Sequence, residues 1–335
     1  MQVSTIGLDL AKNVFQVHGV DVNGLVNVRK ALRRAQLLLF FKACSSAHYW
    51  ARELSALGHT VKLMPPSYVK PYVKRGKNDA ADAAAICEAV TRPTMRFVAM
   101  KSPEQQAVLM LHRTRALLMR QRTMTVNALR GHLAEFGFIA AQGAKGLATL
   151  IERVFGSPGS DVPLIPPLAR RALAPLVAEV RELRARIKAI DAELLAWHRA
   201  NAASKRLETI PGVGFITATA IAATVTDPSH FKSGRQFAAW LGLVPRQNSS
   251  GGKQRLGSIS KMGDRYLRTL LVVGATSVIR YARGKNAAGA QWINALLARR
   301  PARLVSVALA NKTARIIWAV LVRGESYRAA VPATA

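Results

Sequence analysis

The chain opens on strand-like patterning. Val3, Ile6 and Leu8 form a short apolar run that breaks at Asp9, and Val14 to Val20 alternates apolar and polar positions. Asp21-Val22-Asn23-Gly24 reads as a hairpin turn, which makes Leu25 to Val28 a third strand. Ser46 to Leu57 has helical spacing and stops at Gly58, a residue suited to a helix end. Val61 to Met64 reads as a further strand, halted by Pro65-Pro66, before a basic loop from Lys70 to Lys77. Asn78 or Asp79 then caps a helix that runs to about Val90. Three strands, a helix, a strand and a helix predict an α/β domain over residues 1–100.

From residue 101 the period changes to that of helices. Pro103 opens a long basic helix, Glu104 to Phe136, and Gly137 to Pro167 reads as a Gly- and Pro-rich connector. In the next helix Leu173, Leu176, Val180, Leu183, Ile187, Ile190, Leu194 and Trp197 alternate spacings of three and four, the seam of a coiled coil. That seam predicts either self-association into a homo-oligomer or an intramolecular pair with the Glu104–Phe136 helix, and the residues do not choose between them. This second region ends near residue 204. A third, over 205–328, starts with Ile210-Pro211-Gly212-Val213-Gly214, which has the form of a helix-hairpin-helix turn. Glycines there let backbone approach a phosphate, with Gly212 and Gly214 as the candidates, although a turn between packed helices has the same composition. Phe237 to Val244 is an apolar helix or strand. Pro245 to Lys253 reads as a polar, flexible, basic loop, and Arg299 to Leu321 as a basic amphipathic helix.

Charge narrows the function. The 335 residues carry 49 Lys and Arg against 18 Asp and Glu, a net charge of +31. Residues 201–335 hold 20 of those cations and only 4 of the acids, where a solvated surface ordinarily mixes signs. A polyanion partner follows, nucleic acid first. Two cysteines, Cys44 and Cys87, exclude a disulfide scaffold or a cysteine-rich zinc module. The start carries no basic segment followed by an apolar run, and no uncharged apolar stretch reaches membrane-spanning length. A cytoplasmic, reducing location is expected.

Few residues are placed to do chemistry. Asp9 interrupts an apolar strand, while Asp79 and Asp82 share one face at a helix start. Clustered carboxylates bind hard cations such as Mg²⁺, and such ions can hold the attacking and leaving oxygens of a phosphodiester. Taken alone, Asp79 and Asp82 are accounted for as a helix cap and a first-turn charge. Ser249 and Ser250 sit among Arg246, Lys253, Arg255 and Lys261, cations able to meet the charge of a phosphate under attack. A polar linker is the plainer reading of those residues. The seven histidines show no metal-ligand spacing, so no zinc site is expected.

Two groups of motifs carry a resemblance. Gly7-Leu8-Asp9-Leu10-Ala11-Lys12 and Pro71 to Ala83 resemble the N-terminal domain of the insertion-sequence-110 transposases, also called Piv-like or DEDD transposases. Ile210 to Gly214, Trp240 to Pro245, Ser249 to Gly252 and Ile259 to Asp264 resemble the C-terminal domain of that family. The resemblance implies an RNase H-like (RuvC-like) nuclease domain, long coiled-coil helices and a helical C-terminal domain supplying a serine. It implies Mg²⁺-dependent DNA recombination through a serine–DNA link, directed by a structured RNA from the element. Asp9, Asp79 and Asp82 match three acids of the family tetrad. Ser250 matches the nucleophile, with Ser249 as its neighbour. Lys74, Arg75, Lys77, Arg246, Lys253, Lys261 and Arg265 join Gly212 and Gly214 as candidate nucleic-acid contacts.

The second tetrad acid has no match. The space between Ala31 and Ser46 accommodates one element where the fold needs a helix and a strand, so either a short stretch is deleted or Leu37 to Phe41 is the strand, with Lys42 where the carboxylate belongs. Glu53 and Glu88, on helices, are poor substitutes. Two other functions therefore stand beside an active transposase: a copy that binds nucleic acid without cutting, and a RuvC-like junction nuclease with no serine step.

Overall fold

A computed structural model describes residues 3–10, 14–33, 47–74, 78–156, 165–283 and 288–328. The chain divides into two compact units, residues 1–106 and 107–335.

In the first unit, β1 (Thr5–Leu10), β2 (Val14–Val20) and β3 (Val26–Arg33) form an antiparallel sheet in that order. The Asp21–Gly24 turn is closed by Asp21, whose carboxylate accepts the backbone N–H groups of Asn23 and Leu25, and Gly24 takes φ +82°. The third strand runs past its expected end at Val28. Its pairing with β2 continues to Val14↔Arg33, and on a strand paired on one side Arg29 and Lys30 keep their charges in water. Helix α1 (Ala47–Ala56) buries Trp50 and Ala51 and ends before Gly58 at φ +87°. The strand expected at Val61–Met64 reduces to one bridge, Leu63↔Val98, because Pro65 and Pro66 have no N–H to continue a ladder. The expected loop from Lys70 begins instead inside helical structure: α2 (Pro66–Val69) leads into a 3₁₀ turn over Lys70–Tyr72. Helix α3 (Asp79–Val90) packs its small residues on β1 and β2. A sheet of this order with a helix laid across it is consistent with an RNase H-like fold. Lys42 and the segment from Leu37 to Phe41 lie outside the described residues, as do Arg75 and Lys77.

The second unit is helical. Helix α4 (Pro103–Ala134) lies against α6 (Pro167–Ala200). Val108 packs with Leu194, Leu118 with Leu183 and Ile187, and Leu129 and Leu133 with Leu173, Val177 and Val180. Rising numbers on one helix meet falling numbers on the other, so the pair is antiparallel. The heptad seam is thereby packed inside the chain, which is the intramolecular one of the two expected arrangements. Between the two, α5 (Gly143–Phe155) occupies what reads as a connector. Leu147, Leu150, Ile151 and Val154, at positions i, i+3, i+4 and i+7, bury one face against α4 and α6.

The remaining helices are α7 (Ala202–Glu208), α8 (Phe215–Thr224) and α9 (Gly234–Trp240), then α10 (Arg265–Ala282), α11 (Ala288–Leu297) and α12 (Ala302–Arg323). Helix α8 is buried from Thr217 to Ala223 and forms the centre of a core with Phe237, Leu267, Leu271, Ala314 and Ile317. Helix α12 is long and apolar enough to cross a membrane by length and composition, although Arg303, Lys312, Arg315 and Arg323 interrupt it. Its apolar face packs into this core through Ala310, Ala314, Ile317 and Val320. Between α9 and α10 lie β4 (Pro245–Gln247) and β5 (Leu256–Ile259), an antiparallel pair.

Candidate metal centre and serine hairpin

Asp9, Asp79 and Asp82 converge: one carboxylate oxygen from each lies within 4.8 Å of the others. The cause lies in β1. Gly7 and Asp9 share a face of the strand, and at Gly7 the backbone of α3 comes so close that an added Cβ would sit 2.2 Å from the Ala83 carbonyl oxygen and 2.6 Å from the Cys87 nitrogen. Only glycine permits that approach. One step further along the strand, Asp9 meets the first turn of α3. The N-cap of that helix is Asn78, whose side chain accepts from Ala81 N–H at 2.7 Å. Asp79 is therefore not needed as the cap. Together with Asp82 it places two carboxylates toward Asp9, in a protein where acids are scarce. Three oxygen-ligand side chains in that space fit a hard divalent cation. Glu53 and Glu88 are not part of the cluster, and Glu88 is paired with Arg92 at 2.6 Å. Lys74, at the end of the described loop, is exposed.

Ser250 is held on a β-hairpin, which corrects the flexible loop expected from composition. Gly251 and Gly252 take φ +55° and +77°, the two positive values of a type I′ turn, and Lys253 N–H donates to the Ser250 carbonyl at 3.1 Å. Both serines are exposed, and their surroundings differ. Ser249 Oγ accepts Arg255 N–H at 3.0 Å and so braces the hairpin. Ser250 stands at the turn itself, in the bridge with Lys253.

The base of the hairpin is clamped by backbone. Ser260 N–H donates to the Val244 carbonyl and Lys261 N–H to that of Gly242. An added Cβ at Gly263 would lie 1.9 Å from the Trp240 carbonyl oxygen, and one at Gly242 would lie 2.2 Å from that of Met262. Arg268 donates to the Leu241 carbonyl, and Asp264 caps α10 by accepting Leu267 N–H. Arg246 donates to the Ser260 carbonyl at 3.3 Å. Arg246, Lys253, Arg255, Lys261 and Arg265 are all exposed, and Lys253 pairs with Ser250 across the turn.

The turn at Ile210–Gly214 joins α7 to α8 as expected. Gly212, at φ +83°, meets Gly274 of α10, where an added Cβ would lie 2.0 Å from the Gly212 carbonyl oxygen. That glycine pair lets the turn and α10 approach closely. Gly214 is exposed with open space around it, and remains a candidate contact.

Behind the hairpin lies a polar cluster that sequence patterning did not signal. His112 of α4 is buried, with Nδ1 3.0 Å from the Tyr266 hydroxyl and Nε2 3.1 Å from Thr219 Oγ1. Burial, and then the charge of Arg115, holds its pKa down to about 4, while Asp191 opposes the shift. Burial raises that of Tyr266. A second cluster joins His198 to Ser204 and Glu208, each at 2.8 Å, but Ser204 is fully buried and has no path to a substrate. His112 is distinguished by contacts to helices more than a hundred residues away, and His198 by its neighbours on the next helix.

With this geometry in place, known proteins were compared. A family described as Transposase IS116/IS110/IS902 matches residues 204–290, and a second, the DEDD transposase family of IS110, matches residues 6–138. The chain is 52% identical to a protein named "Probable family 20 transposase" from Pseudomonas aeruginosa, over 98% of this chain and 99% of the other. The chain belongs to the IS110 family of insertion-element transposases. It is also 40% identical to the transposase for insertion sequence element IS1111A of Coxiella burnetii, covering 97% of this chain and 92% of that one. Similarity to the transposase for IS1328 of Yersinia enterocolitica is likewise 40%, over 96% and 98%. An IS110 transposase acts in DNA recombination, and the DEDD family typically uses a divalent metal. The two matched segments contain Asp9, Asp79 and Asp82 in the first and Ser250 in the second.

Proposed function

We propose that this transposase recombines the DNA of its insertion element with a Mg²⁺ ion held by Asp9, Asp79 and Asp82 and with Ser250 as the nucleophile. The observation that carries the proposal is the convergence of three carboxylates, from positions some seventy residues apart, inside a strongly basic chain. A divalent cation there supplies charge neutralisation at the phosphodiester oxygens. Ser250 is exposed, set at a tight turn opposite Lys253, on a hairpin that also carries Arg246 and Arg255. Its Oγ gives up its proton and bonds to phosphorus as the P–O bond to one sugar oxygen breaks; that oxygen takes up a proton and leaves as a hydroxyl, and the resulting serine–phosphate ester keeps the energy needed for rejoining. The hairpin cations meet the charge that develops on the phosphoryl oxygens. Ser249 braces the turn and is not the nucleophile. A structured RNA from the element directs the reaction, and Gly214, Lys74 and Arg265 contact nucleic acid.

The test combines the chain with Mg²⁺, element-end and target DNA, and RNA transcribed from the non-coding flank of the element. A protein–DNA adduct that survives denaturant is expected. Its persistence in Ser250→Ala would exclude the serine step, and its persistence in Asp79→Ala would exclude the metal assignment.

A further inference from the structure

Helix α3 packs on β1 and β2, and beside it Arg29 and Ala31 on the same face of β3 are exposed. Strand register shows what that leaves. Asp9 pairs with Gln16 and Gly7 with His18; in turn Gln16 pairs with Ala31 and His18 with Arg29. Paired residues share a face, so Gln16, His18, Arg29 and Ala31 continue the surface that carries Asp9. Ala80, Ala81 and Ala84 of α3 form the opposite wall, small enough to leave a cavity of about 330 Å³. That volume is at the low end of ligand pockets, which run from roughly 300 to 1,000 Å³.

The groove is polarised. Gln16 beside Asp9, and Ala80 and Ala81 between Asp79 and Asp82, bring one end to the acidic cluster. Arg29 stands at the other, exposed and with no carboxylate partner among the described residues, with Lys30 at the rim. Strand spacing and rise put the Asp9 and Arg29 backbones roughly 12 Å apart. His18 lies between them, 8% exposed, and its ring has no hydrogen-bond partner among the described residues. Burial, and then the Arg29 charge, lowers its pKa, so a neutral ring faces the groove. A cation, a neutral imidazole and an amide in line with a carboxylate cluster match the repeating charge of a phosphodiester backbone.

We infer that this groove seats a single DNA strand: the phosphate next to the one at the acidic cluster rests on Arg29, and the intervening sugar or base lies against His18 and Gln16. The inference rests on the reading of Asp9, Asp79 and Asp82 as a metal site. It adds a positioning role for Arg29, which holds the strand and takes no part in bond making.

Two independent readouts on the full chain test it. A single-stranded DNA carrying 4-thiothymidine is photocrosslinked, with Mn²⁺ and with a chelator, and crosslinked peptides are mapped. Mn²⁺ binding is followed separately by electron paramagnetic resonance. Crosslinks are expected in peptides spanning 14–20 and 26–33. They should fall about tenfold in Arg29→Glu, the loss of one charge-assisted contact, and also in Ala84→Leu, which fills the groove from the helix side. Neither variant should change Mn²⁺ binding. Absence of crosslinks in those peptides, or crosslinks unchanged in both variants, overturns the groove. An RNA oligonucleotide that displaces the DNA from these peptides overturns the assignment to DNA. A wild-type chain without saturable Mn²⁺ binding overturns the metal reading alone, because the chelated arm still reports the strand.

Discussion

At the scale of single residues, Gly7 sets the acidic cluster and Ser250 the chemistry of the hairpin. A methyl at position 7 has backbone of α3 on two sides and cannot be absorbed by a side-chain rotation. Gly7→Ala should cost about 1–3 kcal/mol, as overpacking does, measured by denaturant unfolding, and should weaken Mn²⁺ binding with all three acids present. Ser250→Ala should behave oppositely. Its side chain is exposed, so stability should change by no more than about 0.5 kcal/mol, yet the DNA adduct should vanish. Ser249→Ala removes the acceptor of Arg255 N–H, which should cost about 1 kcal/mol and slow the adduct without abolishing it. Equal loss in both serine variants would reject the assignment to Ser250.

Between elements, the buried His112 joins α4, α8 and α10 through Thr219 and Tyr266. Its ordinary pKa of 6.5 applies to the unfolded chain, whereas the folded value is about 4. As pH falls below 6.5 the unfolded state takes up a proton that the folded state refuses. The stabilisation is complete above 6.5 and is lost as pH falls toward 4, by up to about 3 kcal/mol. Unfolding free energies measured across that range should show the slope, and His112→Gln should flatten it. Other elements were readable in advance for local reasons. The Asp21–Gly24 turn, the Asn78 cap and the α3 boundaries depend on side chains within a few positions of one another. The Val61–Met64 strand and the 137–167 connector were misread because composition near Gly and Pro says little about whether a segment finds an apolar surface. α5 found one in α4 and α6, while Val61–Met64 was left with a single bridge.

For the whole molecule, 49 cations against 18 acids mean that DNA binding should weaken steeply with salt as counterions are released. Arg246→Ala should weaken binding to any sequence and lower the salt slope by about one, measured by titration at several ionic strengths. Binding that ignores salt would contradict the polyanion assignment. The linear chain was sufficient to mark a polyanionic partner, the opening hairpin and the long helices, and to name Asp9, Asp79, Asp82 and Ser250 as candidates, since charge balance, periodicity and motif spacing can be read without a fold. It left the heptad seam between two fates, and named Gly212 for a phosphate. Packing put α4 over the seam and Gly212 against Gly274. Packing also decided that Asp9 reaches Asp79 and Asp82, because a missing Cβ at Gly7 lets helix and strand approach, and that face-to-face distance is set by contacts made only after the chain has folded.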